Sequence, residues 1–166
     1  MRALGAILLA VLPMYCGFAL AEEQRRTTRD LFGVLELLSH IRYEISAFLT
    51  RRSDLFLRFE CPSLEKSGFL SALKCAAGTT DNALYHLLTQ TDTAMLSLLP
   101  EDLRLLTEYA KTLGEFDAAE EIERLDRVRA LLSESYETQK KEQQNRVRLY
   151  RAFGVVTGLA VLLFVW

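Results

Sequence analysis

The sequence predicts an all-α protein in which an antiparallel helical bundle is flanked by N- and C-terminal transmembrane helices. Hydrophobic residues in the middle of the chain recur at steps of three and four, the spacing of a helix face buried against a core. Residues 3–21 and 152–166 carry no charged side chain, and no useful stretch alternates apolar and polar residues as a half-buried strand does. The chain therefore divides into an N-terminal transmembrane helix over 1–21, a cytoplasmic helical bundle with polar stalks over 22–151, and a C-terminal transmembrane helix over 152–166.

The N-terminal segment allows two interpretations. As a helix, residues 3–21 would reach about 28 Å, close to the thickness of the hydrocarbon core of a bilayer. The rival is a cleaved signal peptide, because Arg2 gives a charged start and Ala19-Leu20-Ala21 resembles a cleavage site. The protein would then be a secreted, tail-anchored helical binding module. Lys and Arg beside membrane spans stay in the cytoplasm, and the basic clusters at 25–29 and 140–151 both belong to the middle segment. We therefore expect a retained anchor and a cytoplasmic bundle at a bacterial cell membrane.

The C-terminal segment would reach only about 22 Å as a helix, which is short for a full span. Trp166 suits the far interface, where aromatic rings settle. Gly154 and Gly158 form a GxxxG pattern, which lets helix backbones approach closely. This pattern marks packing between the two spans or between copies, or it has no special role.

The first half of the middle segment predicts one long helix followed by shorter ones. Pro62 disfavours helix at the residue before it, so a short second helix is expected over 55–59. A third helix should begin at Ser63 or Ser67 and end at Gly78 in the left-handed conformation. The apolar stripe of the long helix consists of Leu31, Val34, Leu35, Leu38, Ile41, Ile45, Phe48 and Leu49.

The second half predicts three more helices from their end signals. Asp81 is a candidate N-cap for the fourth helix, and Pro100 suits the first position of the fifth, which Gly114 should end. Asp117 should cap the last helix, with Glu120 completing a pair that resembles a capping box. The apolar stripe of this helix then fades into a solvated helical stalk. We expect a common core formed by Leu38, Ile41, Ile45, Leu106, Tyr109, Ile122 and Leu125.

Charge and motif content argue against nucleic-acid binding and catalysis. A net charge of -2 provides no basic surface for phosphates. His40 and His86 lie on different predicted helices, without a carboxylate or cysteine at metal-ligand spacing. The acidic run 115–123 fits the solvated face of a helix better than a metal site. There is no nucleophile elbow and no phosphate-binding glycine loop. We predict no enzyme activity, no catalytic, cofactor-binding or metal-binding residue, and no small-molecule substrate.

The cysteine content indicates reduced thiols. Cys16, Cys61 and Cys75 are an odd number without a paired spacing, and Cys16 lies inside an apolar end. A Cys61–Cys75 bridge remains open, since spacing alone does not exclude it.

Several short sequence patterns mark the start, the long helix, the last turn and the end of the chain. The chain starts with the apolar Leu4-Gly5-Ala6 and ends inside an apolar segment, and a Leu113-Gly114-x-x-Asp117 turn opens its last helix. The first long helix contains Leu35, Leu38 and Tyr43-Glu44-Ile45. In this arrangement the whole chain resembles the stage III sporulation protein AB family.

The resemblance implies a scaffold without catalytic residues. Members of the family look like the helical-bundle domain of the inner-membrane platform proteins of type II secretion and type IV pilus machines. They belong to a channel between mother cell and forespore in endospore-forming bacteria. The bundle would face the mother-cell cytoplasm and meet other subunits of this complex, among them a secretion-type ATPase.

The turn before the last helix supplies the candidate partner residues. Gly114, Glu115, Asp117 and Glu121 form this set, with Glu115 and Glu121 expected to be exposed. The chain departs from the family pattern here, because Glu120-Glu121 stand where a Gln is anticipated. The other interpretation of the turn is an ordinary helix–helix corner that contacts no partner.

Overall fold

The computed structural model describes residues 25–47, 54–80, 82–90 and 95–165, and only the backbone of residues 90 and 147–165. Apart from a short 3₁₀ turn, every regular element in these residues is an α-helix, which confirms the all-α fold class. The helices are α1 (residues 25–47), α2 (Pro62–Lys66), α3 (Phe69–Ala77), α4 (Ala83–Gln90), α5 (Pro100–Lys111) and α6 (Ala118–Val165).

Two contacts fix the relative direction of α1 and α6. The rings of Phe32 and Tyr136 lie 5.8 Å apart between centroids, and Arg42 Nε donates a hydrogen bond of 2.8 Å to Asp126 Oδ1. Moving ten residues forward along α1 therefore corresponds to moving ten residues back along α6. The two helices are antiparallel, as the predicted bundle requires.

The direction of α5 follows from two further contacts with α6. Ser135 Oγ donates a hydrogen bond of 3.0 Å to Asp102 Oδ2 near the start of α5, and Arg124 Nη2 donates one of 2.6 Å to Thr112 Oγ1 just after its end. Thus α5 and the first part of α6 form an antiparallel helical hairpin. Since α1 also runs opposite to α6, α1 and α5 are parallel.

The core of the bundle matches the sequence prediction in most positions. Ile45 and Ile122 are only partly buried. A buried cluster joins the apolar faces of all six helices, which accounts for the period of three and four in the sequence. The predicted core residues that are buried are Leu38, Ile41, Leu106, Tyr109 and Leu125.

The segment between α1 and α3 differs from the prediction. The expected short helix over 55–59 is wrong, because residues 54–58 form turns that bury Leu55 and Phe56 without a helix. Pro62 instead occupies the first turn of α2, where its missing N–H leaves no hydrogen bond unmade. The expected third helix is two helices, α2 and α3, separated by Gly68 at φ 78°.

The left-handed glycine beside α3 lies at the start of the helix and not at its end. The predicted left-handed end at Gly78 is wrong, since Gly78 has φ -74° and ψ -15°. The left-handed residue is Gly68, which begins α3, and this conformation is accessible to glycine at little cost. Pro100 lies in the first turn of α5 as predicted. The expected N-cap at Asp81 lies outside the described residues.

The chain separates into two compact units, one of residues 1–26 with 138–166 and one of residues 27–137. In the first unit, the side chains over 140–146 are mostly exposed, and the solvated stalk over 138–151 stays a prediction. The predicted membrane helix over 1–21 lies outside the described residues.

The predicted C-terminal membrane helix over 152–166 is not confirmed. Residues 152–165 are helical as part of α6, but among the described residues no helix has the combined length and apolarity needed to cross a membrane. The uncharged stretch that follows Arg151 is short for a span on its own. Gly154 and Gly158 lie on this helix, and their role in helix packing stays a prediction.

Candidate functional site

The corner between α5 and α6, residues 112–117, has the backbone geometry that the sequence predicts. Gly114 adopts φ 73°, in the left-handed region that favours glycine. Asp117 Oδ1 accepts a hydrogen bond of 2.8 Å from the Glu120 backbone N–H, so Asp117 is the N-cap of α6. The local sequence therefore sets both where α5 ends and where α6 begins.

Glu121 is buried, and the prediction that it is exposed is wrong. Only 2% of its surface is accessible, and its Oε2 accepts a hydrogen bond of 3.2 Å from the Gly114 backbone N–H. Gly114 lies just beyond the end of α5 at Lys111. The carboxylate of Glu121 therefore links the corner to the first turn of α6.

Two side chains complete the buried part of the corner. Burial, and then the charge of the neighbouring Glu121 carboxylate, raise the pKa of the Tyr109 hydroxyl, which stays protonated at physiological pH. Arg124 holds Thr112 through the hydrogen bond described above. The corner is thus tied to both helices by polar contacts from α6.

The outer surface of the corner presents one aromatic ring among carboxylates. Phe116 is 39% exposed, and the Arg124 guanidinium lies over its ring at 4.1 Å from the centroid. Glu115, Asp117 and Glu120 are exposed around it. We call Phe116 and these three residues the acidic corner. Phe116 and Arg124 were not predicted from the sequence, although Arg124 is one helical turn after Glu121 and could have been placed on the same face.

A second concave surface lies between α1, the segment that leads into α2, and α6. It is open to solvent and has a volume of about 560 Å³. We call this surface the α1–α6 groove. Its apolar lining consists of Phe32, Leu35, Phe59, Pro62 and Tyr136.

The charged lining of the α1–α6 groove is mainly acidic. Glu36, Glu60 and Glu137 contribute carboxylates and Arg129 contributes the one cation among the lining residues. Cys61 Sγ donates a hydrogen bond of 3.1 Å to Glu36 Oε2, which ties this carboxylate to the start of α2. No pattern in the sequence indicates the groove, because its walls come from three distant segments.

The two described cysteines and the two histidines take structural positions. Cys61 is buried and Cys75 is exposed, and both are free, so the bridge left open by the sequence is absent. Burial raises the pKa of the Cys61 thiol. His40 lies at the edge of the core, with Nε2 3.0 Å from the Leu55 carbonyl oxygen, and His86 is exposed. Within the described residues, no group of His, Cys, Asp and Glu side chains could hold a metal ion.

Comparison with known proteins gives one match. A family model described as Stage III sporulation protein AB matches residues 2–166, which covers essentially the whole chain. No curated protein and no solved structure matches the chain.

Proposed function

Because the chain belongs to the stage III sporulation protein AB family and is therefore a sporulation protein, we propose that it acts as a non-enzymatic membrane scaffold. In this role its helical bundle docks other subunits of a channel or secretion-like complex from the cytoplasmic side. The observation that carries the proposal is the acidic corner, where hydrogen bonds hold the backbone that carries the exposed ring of Phe116.

The acidic corner has the features of a docking surface. Aromatic side chains dominate the binding energy of protein interfaces when neighbouring residues exclude water around them. Phe116 is exposed enough to enter a partner, while the contact with Arg124 restricts its position. The partly buried hydrogen bond from the Gly114 amide to Glu121 helps to keep the backbone of the corner in place. Less conformational entropy is then lost on binding than for a loose loop.

The charge of the acidic corner indicates the kind of partner. Glu115, Asp117 and Glu120 would favour a partner surface with Lys and Arg, because complementary charge steers association and rejects wrong partners. We propose that this partner is a subunit of the same complex, foremost its secretion-type ATPase.

Membrane attachment is part of the proposal and has its own test. It is supported by the uncharged ends of the chain and by the basic clusters at 25–29 and 140–151. A reporter fused after Arg51 should remain in the cytoplasm, with the protein in the membrane fraction of the mother cell. Activity of the reporter outside the membrane would contradict a cytoplasmic bundle and favour a cleaved signal peptide.

The docking role is tested by co-purification with the ATPase from sporulating cells. Glu115→Lys and Phe116→Ser change exposed positions of the acidic corner and should reduce recovery of the ATPase. Glu115→Lys should change the free energy of unfolding by no more than about 0.5 kcal/mol, as most surface substitutions do. Glu101→Lys, at an exposed position on α5 outside the corner, is the charge-matched control. Full recovery with both corner variants would mean that the corner is only a structural turn.

A further inference from the structure

The α1–α6 groove has an exposed apolar side chain at one end. Phe32 is 43% exposed although it contacts Tyr136, so its ring leaves a large apolar surface at the rim. The antiparallel direction of the helices places Tyr136 and Glu137 beside the Phe32 end, and Arg129 toward the end marked by Ser39. The groove therefore has an apolar, acidic end and a basic end.

The carboxylates of the groove come from all three of its walls. Glu36 lies on α1, Glu60 precedes α2, and Glu137 lies on α6. The hydrogen bond from Cys61 orients the Glu36 carboxylate. All three glutamates have exposed side chains. Three carboxylates against one guanidinium beside an aromatic rim would favour a ligand that carries both positive charge and a large apolar group.

The size of the groove limits what can occupy it. Its α1 wall extends from Phe32 to Ser39, which is about 10 Å along a helix axis. This length accommodates about two turns of a helix or three residues of an extended chain. It is suited to a short polypeptide segment and is too small for a folded domain.

We propose that the α1–α6 groove binds a short segment of another protein that presents Lys or Arg next to a Leu or an aromatic residue. The apolar side chain contacts Phe32 and Tyr136, and the cation lies among Glu36, Glu60 and Glu137. The proposal rests on the docking role of the bundle proposed above, but it concerns a face of the bundle other than the acidic corner.

The test uses the purified full-length chain in dodecyl maltoside and three labelled synthetic peptides of ten residues. The first peptide carries two Arg, two Leu and one Phe on a Gly/Ser background. The second has Glu in place of Arg, and the third has Ser in place of Leu and Phe. Fluorescence anisotropy measures Kd, with detergent micelles alone as the blank. The first peptide should bind more tightly than either matched peptide, and its affinity should fall as salt screens the carboxylates.

Variants of the groove assign the binding to its residues. The double variant Glu60→Gln/Glu137→Gln should weaken binding of the first peptide about fivefold, the size expected from losing two exposed charge pairs. Phe32→Ser should weaken it at least as much, because it removes the aromatic contact. The matched control is Glu101→Gln/Glu108→Gln, which removes two exposed carboxylates from α5 and should leave Kd unchanged.

Three outcomes would overturn the proposal. Equal binding of all three peptides, or no binding above the micelle blank, would show that the groove does not select a basic and apolar segment. An equal loss with the α5 control would assign the effect to overall charge. Failure here is distinct from failure of the scaffold proposal, because Glu115→Lys should reduce capture of the ATPase while peptide binding persists. A groove that fails would leave the result for the acidic corner unchanged.

Discussion

Gly33 on α1 is a position where one added methyl group should disturb the packing of α2. A Cβ atom built there would lie 2.8 Å from Leu64 Cγ and 3.0 Å from Leu64 Cδ2. Favourable carbon–carbon contacts are about 3.5–4.0 Å, so the methyl group would overlap Leu64 by more than half an ångström. Leu64 has no accessible surface and therefore has no open space to move into.

The expected size of the Gly33→Ala effect follows from two opposing contributions. Overpacking of a core costs about 1–3 kcal/mol, while Ala in place of Gly inside a helix contributes up to about 1 kcal/mol of stability. We expect a net loss of about 1–2 kcal/mol in the free energy of unfolding of the unit 27–137, measured by urea denaturation. In a Leu64→Ala background the methyl group enters vacated space, and the same substitution should stabilise by up to about 1 kcal/mol.

The reversal of sign between the two backgrounds tests the contact between α1 and α2. Gly78→Ala is the matched control, because the nearest atom to its added Cβ is the Cys75 carbonyl oxygen at an ordinary 3.6 Å. It should change stability by less than about 1 kcal/mol. If Gly33→Ala stabilised both backgrounds equally, α2 would not approach α1 as described. The position of the residues around Pro62, which form one wall of the groove, would then be wrong as well.

Three further substitutions test the core and the corner. Leu125→Ala should destabilise the unit 27–137 by about 2–5 kcal/mol in the same urea assay, because Leu125 is fully buried in the core. Asp117→Ala should destabilise it by about 0.5–2 kcal/mol, through loss of the hydrogen bond to the Glu120 amide. The raised pKa of Tyr109 keeps its hydroxyl protonated in the folded state when the unfolded state ionises near pH 10. The contribution of Tyr109 to the free energy of unfolding is therefore complete below pH 10 and falls above it by about 1.4 kcal/mol per pH unit. Tyr109→Phe should remove this contribution to the pH dependence.

Each of these results has a contrary outcome. A Leu125→Ala variant as stable as the parent would place that side chain on the surface. Asp117→Asn retains a capping oxygen and should lose less stability than Asp117→Ala; equal losses would argue against the cap. If the parent and the Tyr109→Phe variant lost stability equally between pH 9 and 11, Tyr109 would not be buried beside Glu121.

Local signals in the sequence were enough to predict much of α5 and the corner. A proline at the first helical position, a left-handed glycine and an aspartate cap each act within a few residues, so their effect depends little on the rest of the fold. Pro100, Gly114 and Asp117 all take the expected positions. The burial of one face of each helix also follows from the period of the apolar residues.

The segment over 54–68 could not be predicted in the same way. Leu55, Phe56 and Phe59 are all buried, and a cluster of buried residues in a turn gives the same short apolar pattern as one turn of a helix. A proline can follow the end of one helix or occupy the first turn of the next. Pro62 was therefore compatible with both a helix that ends before it and a helix that begins at it. Leu64 of α2 also lies close to Gly33 of α1, and local sequence patterns do not report a contact between residues so far apart in the chain.

The burial of Glu121 and the α1–α6 groove depend on contacts that are distant in the chain. Glu121 stands in an acidic run, where a charged side chain is usually exposed, but it is buried and accepts a hydrogen bond from the Gly114 amide. The groove is lined by residues near 36, 60 and 133. The periodicity of a single helix does not indicate which distant segments lie together.

Direct binding of the purified secretion-type ATPase to the full-length chain tests the scaffold role most directly. In a titration followed by interferometry, the parent chain should bind the ATPase and Phe116→Ser should raise Kd about tenfold, as expected for loss of an aromatic hot spot. Glu115→Lys should also raise Kd, and Glu101→Lys should leave it unchanged. Equal Kd values for the parent chain and both corner variants, or no binding of the ATPase to any of them, would contradict a scaffold that docks its partner through the acidic corner.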